Sequence, residues 1–126
     1  MSKLNAYRKT SVTTASKEQI LIMLYEAAIN HLKRASESCQ KNDYSSKGTA
    51  VGKAHDIINE LSATLDFKIG GEVAHNLERL YVYSIELIVQ GNLNNDYQKF
   101  DQARKILENL LEGWKGAIAQ LQAKKD

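Results

Sequence analysis

Proline is absent from this chain, cysteine occurs once, and only seven of its 126 residues are glycine. Few residues therefore interrupt a helix, and Leu, Ile, Ala, Glu, Lys and Gln fill much of the remainder, the composition of an all-helical protein. The lone Cys39 excludes an internal disulfide framework and fits a reducing cytoplasm. Its place on an apolar helical stripe makes it a small core residue. Neither sign of charge dominates: the formal net charge is +2 and no long block of like charge occurs. A nucleic-acid-binding protein needs a concentrated phosphate-neutralising face, so that class is set aside. No segment approaches the roughly 18–20 apolar residues of a membrane span, and the first residues hold no apolar signal core. A soluble cytoplasmic protein without membrane insertion is expected.

The chemistry of catalysis is missing as well. His31, His55 and His75 fall on three different predicted helices, and none stands in a spacing such as H-E-x-x-H or E-x-x-H, so no metal or other cofactor is expected. Gly70-Gly71 lacks the flanking strand and the following Gly-Lys of a phosphate loop. No Ser or Cys stands in a nucleophile motif. Glu108 and Glu112 lie one helical turn apart on a wet face. Not an enzyme is the expectation, with no catalytic residue assigned. His31-Leu32-Lys33-Arg34-Ala35 loosely matches the exposed histidine of a histidine phosphotransfer bundle, but His31 borders an apolar stripe and the match is short.

Periodicity predicts four helices. Residues 1–15 carry Ser, Thr and Asn without lasting periodicity, and the β-branched, hydroxyl-rich Thr10–Thr14 disfavours helix; they read as an irregular arm. Ser16 is a good N-cap, with Gln19 completing a capping box. Helix 1 (17–41) presents Leu21, Leu24, Ala28, Leu32, Ala35 and Cys39, with Ile22 and Ile29 beside them. Helix 2 (44–66) presents Ala50, Ala54, Ile57, Ile58, Leu61 and Leu65. Gly70-Gly71 makes a tight reversal into helix 3 (72–90), with Gly91 expected just past its end. Asn94-Asn95-Asp96 is a turn, and helix 4 (96–122) presents Phe100, Ala103, Leu107, Leu110, Leu111, Trp114, Ala117, Ile118 and Leu121. Short connections between long helices argue for an antiparallel up-down four-helix bundle forming one domain over residues 1–126.

Helix 3 is more apolar than its own bundle requires. At about 100° per residue, Val73, Leu77, Leu80, Ser84, Leu87 and Ile88 share one stripe, with Val82, Ile85 and Val89 beside it. That arc exceeds the width of an ordinary surface helix. A surplus apolar strip on a soluble domain is normally covered by something else, so the sequence points to a binding protein.

The chain as a whole resembles the flagellar secretion chaperones that bind flagellin, the FliS family. Asn5-Ala6-Tyr7, Thr14-Ala15-Ser16, the run Leu21–Ile29, Ala54–Asp66, Gly70-Gly71-Glu72-Val73-Ala74, Asn76-Leu77, Leu80-Tyr81, Tyr83 and Gly113-Trp114-Lys115 carry the resemblance in order and spacing. It covers about Leu4 to Ile118. Glu26-Ala27 stands where the family often has Asp-Gly, and Val82 separates two tyrosines where an acidic residue is common. The resemblance implies a four-helix bundle that holds the polymerisation-prone C-terminal helical segment of flagellin until export. It also implies that the arm covers part of the groove in the free state, a role that maps onto Tyr7.

The partner-binding residues expected on these grounds are Tyr7, Ile57, Leu61, Leu77, Tyr81, Val82, Ile85 and Val89, with Tyr81 placed at the edge of the stripe and Trp114 as a core anchor. Export-apparatus components are further candidate partners. A helical adaptor or regulator that uses the same groove for another protein, such as an anti-sigma factor, is the alternative from the residues alone.

Overall fold

The computed structural model describes residues 16–125, in four helices: α1 (Lys17–Gln40), α2 (Tyr44–Ala63), α3 (Phe67–Asn94) and α4 (Tyr97–Lys125). Each helix packs on two neighbours in the order α1–α2–α3–α4, and α4 closes on α1, with the diagonal pairs out of backbone contact. Connections at 41–43, 64–66 and 95–96 are too short for anything but reversal, which yields the all-α four-helix bundle.

Local chemistry sets the helix ends. Ser16 Oγ accepts from the Gln19 amide at 3.1 Å while the Ser16 amide donates to Gln19 Oε1 at 3.2 Å, the reciprocal capping box expected there. Asn42 closes α1 in the left-handed region (φ 57°), and Asp43 caps α2 by accepting from the Ser46 amide. Asp66 accepts from the Lys68 and Ile69 amides, starting a single turn that Gly71 breaks at φ 52°, ψ −126°. That conformation belongs almost to glycine alone, so the main body of α3 begins just after it.

The core joins all four helices through Tyr25, Leu32, Ile58, Leu61, Tyr81, Ile88, Phe100 and Leu107, each at most 1% exposed. Cys39 is buried among them, and its thiol donates to Asn95 Oδ1; burial pushes that thiol above its ordinary pKa. Three expectations need correction. The buried stripe of α3 is Ala74, Leu77, Tyr81, Ser84, Leu87 and Ile88, while Val73 and Leu80 are 63% and 36% exposed. The true stripe is rotated because the Tyr81 hydroxyl pairs with that of Tyr25 and can enter the core. Gly91 does not end α3: the helix runs on to Asn94, and Asn95 takes the left-handed position at φ 50°. Gly91 is small for a different reason, since a Cβ there would sit 3.0 Å from both Lys99 Cβ and Phe100 Cε1 of α4. Ala117 and Leu121, expected on the buried stripe of α4, are exposed.

The end of the bundle holding the α1–α2 and α3–α4 connections carries an unexpected polar lock. Lys47 is only 5% exposed, and its ammonium donates to the Asn92 carbonyl (3.2 Å) and Asn95 Oδ1 (3.0 Å). Asn95 Nδ2 in turn donates to Asn42 Oδ1 at 3.2 Å. One asparagine thus ties the two connections together.

Candidate partner-binding surface

The opposite end of the bundle is apolar and concave. The start of α1, the α2–α3 connection, the first turns of α3 and the late part of α4 enclose a pocket of about 290 Å³. Leu21, Leu65, Ile69, Val73, Leu77 and Trp114 supply most of its wall, and Tyr81 lies behind them. The kink at Gly71 creates the feature: it swings the Phe67–Gly70 turn off the axis of α3 and leaves Ile69 88% exposed at the rim. Phe67 is held by the His75 ring, with centroids 4.7 Å apart, which fixes that turn from outside.

Behind the pocket a polar relay crosses three helices. Trp114 Nε1 donates to the Tyr25 hydroxyl at 3.1 Å, and the Tyr25 and Tyr81 hydroxyls are hydrogen-bonded to each other. Both tyrosines titrate above their ordinary value of 10.0, chiefly because burial disfavours the phenolate. At neutral pH the relay is uncharged, so an apolar group in the pocket meets no buried charge. Trp114 is half-buried: it anchors the core through its N–H and lines the pocket.

From the pocket, α3 carries exposed apolar side chains along two flanks of its buried stripe. At about 100° per residue, Val82, Val89 and Leu93 line one flank; they are 49%, 43% and 79% exposed. Tyr83, 50% exposed, lies beyond the other edge of the stripe, and Val73 and Leu80, on the stripe's side nearest it, are 63% and 36% exposed.

The structure separates the sequence-predicted site residues into groups. Val82 and Val89 are at the surface, and Ile85 and Ile57 are half-buried against the core. Leu61 is fully buried within the bundle. Leu77 and Tyr81 are also buried, and both border the pocket. Tyr7 lies outside the described residues. Ile69, Val73, Leu65 and Leu21 were not singled out as site residues, although an isoleucine directly before a Gly-Gly break, with no helical stripe to join, is a usable signal of exposure.

No reacting constellation accompanies this surface. Among the described residues no group of His, Cys, Asp and Glu converges as a metal site, and no described helix is long and apolar enough to cross a membrane. His55 Nδ1 is hydrogen-bonded to Asn59 Nδ2. His31 is half-buried and titrates below its ordinary value, first through desolvation and then through Lys53 and Arg34.

The sequence is similar to those of known proteins. The family model described as flagellar protein FliS matches residues 1–121. This chain belongs to the FliS family. It is 40% identical over 119 residues to the flagellar secretion chaperone FliS of Salmonella typhimurium, spanning 90% of this chain and 88% of that one. The FliS of Vibrio cholerae is 36% identical over 115 residues (88% and 85% of the two chains), and that of Escherichia coli 32% over 111 residues (87% and 82%). The FliS match takes in the pocket, the relay behind it and both flanks of α3.

Proposed function

We propose that this protein is a cytoplasmic export chaperone, a single helical domain that binds the C-terminal helical segment of flagellin and has no catalytic role. It keeps that segment from polymerising before export and delivers it for flagellar type III secretion. The observation that carries this reading is the apolar pocket at the kinked start of α3, together with exposed apolar side chains along that helix, in a chain of the FliS family. A disordered partner folds onto such a surface as amphipathic helices, its apolar side chains entering the pocket and lying along Val82, Ile85 and Val89. Each large aliphatic side chain so buried contributes about 1.5–3 kcal/mol. Ordering the segment costs about 2–5 kcal/mol of the total, which keeps the complex releasable.

The test is seeded polymerisation of monomeric flagellin followed by pelleting. Equimolar protein is expected to hold flagellin in the supernatant, and Val82→Asp/Val89→Asp to release it. Filament growth at an unchanged rate with folded protein would refute the reading. A pull-down that then captured an anti-sigma factor or an export-apparatus component instead would turn the surface over to the adaptor alternative.

A further inference from the structure

The bundle carries a second concave surface, at the other end and of opposite character. The C-terminal half of α1 and the N-terminal half of α2 flank an open cleft of about 410 Å³. Arg34 of α1, Lys41 just past its end and Lys53 of α2 are cations at its wall, against the carboxylates of Glu37 and Asp43. Asp43 is already engaged, since it caps α2 through the Ser46 amide. Arg34, Lys41 and Lys53 make no ion pair among the described residues, whereas Arg104 on α4 is held by Asp101 and Glu108 at 3.5 and 3.1 Å. His31 also lines the cleft, and its protonation is depressed first by desolvation and then by Lys53 and Arg34. Ser38, Ser45, Ser46 and Thr49 supply most of the remaining wall.

Three cations against two carboxylates leave the concavity net positive, and an entering anion relieves that excess. Their spacing indicates what kind. Arg34 and Lys41, at the C-cap of α1, lie seven positions apart, about 10 Å of helical rise. A single phosphate cannot bridge that span, but successive carboxylates on a peptide can. Glu37, between them, disfavours a concentrated dianion and tolerates a mixed acidic sequence. A nucleic acid would need a longer basic track than these three side chains provide.

We propose that the α1–α2 cleft is a docking site for an acidic segment of a partner protein, held by Arg34, Lys41 and Lys53. Leu21 of the apolar pocket lies ten positions before His31 on α1, so the two surfaces are about 15 Å apart along the helix. The acidic partner can therefore bind while the apolar end is occupied. The site does not rest on the flagellin reading.

The probe is hexaglutamate, with hexaglutamine and inorganic phosphate as parallel arms, added to the isotope-labelled full-length protein at low ionic strength. Hexaglutamate is expected to shift the amide signals of Ser45, Ser46 and Lys53 saturably and to raise the His31 titration midpoint, while hexaglutamine does neither. Arg34 and Lys53 are exposed, so Arg34→Gln/Lys53→Gln should retain the helical spectrum and weaken hexaglutamate about five- to tenfold. Lys41→Gln, a single exposed change, should weaken it less and serves if the double variant misfolds. Absence of saturable shifts, equal affinity in the variants, or phosphate binding more tightly than hexaglutamate would each overturn the proposal.

Discussion

Removing one oxygen from the middle of the tyrosine relay should destabilise the bundle more than its size suggests. In Tyr25→Phe the ring still fills its place, but the Trp114 N–H loses its acceptor and the Tyr81 hydroxyl its partner. Tyr81 is 1% exposed, so no water replaces what it loses; a buried polar group left unpaired costs about 1–3 kcal/mol. Trp114 is half-buried and recovers part of its loss from solvent. The expected cost is about 2–3 kcal/mol, a large share of the roughly 5–15 kcal/mol typical of a domain. Tyr81→Phe should cost less, about 1–2 kcal/mol, because Tyr25 keeps Trp114. Since the two hydroxyls satisfy each other, Tyr25→Phe/Tyr81→Phe should be milder than the sum of the single changes by about 1 kcal/mol.

Urea unfolding at constant m-value measures all three variants. The relay also fixes the alkaline behaviour. Both tyrosines have folded-state values above the unfolded 10.0, so their stabilisation is complete below pH 10. It falls as pH rises further, where the unfolded chain ionises first. The double variant should lose less stability than wild type between pH 9 and 11. Single-variant costs under about 0.5 kcal/mol, or strict additivity, would refute the relay as a coupled unit.

Other expectations follow from close contacts and backbone. Gly91→Ala should lower stability by about 1–3 kcal/mol in a melting experiment, because its Cβ would press on Lys99, Phe100 and the Asp96 carbonyl. Gly52→Ala, whose Cβ meets nothing within 4 Å, should instead raise stability by about 0.5–1 kcal/mol. Gly71→Ala should cost about 1–3 kcal/mol, given φ 52°, and blunt the pocket; urea titration and partner affinity read the two effects separately. Ile85→Asp should leave the helical circular dichroism intact and weaken flagellin binding; unchanged affinity would remove that part of α3 from the site.

What the sequence made legible was whatever depends on local chemistry or on one helix at a time. Ser16 and Gln19 are adjacent partners, so their capping box needed no tertiary knowledge. The α1 stripe from Ala28 to Cys39 is buried as its spacing predicts. What escaped depends on two helices at once. Tyr25 and Tyr81 look amphipathic singly and are core residues only as a pair. Gly91 reads as a helix end but is a point of close approach to α4. The burial of Lys47 depends on the end of α3, which offers it the Asn92 carbonyl. For the surface, periodicity found the Val82–Val89 flank. The end pocket was hidden because three stretches far apart in sequence, around Leu21, Thr64–Tyr81 and Trp114, build it.

The most direct test of the central claim is calorimetric titration of the purified protein with the C-terminal segment of its host's flagellin, at several temperatures. Saturable one-to-one binding with a negative heat-capacity change, accompanied by new helical signal, is the expected result. No heat at any temperature, from protein shown to be folded, would contradict the account.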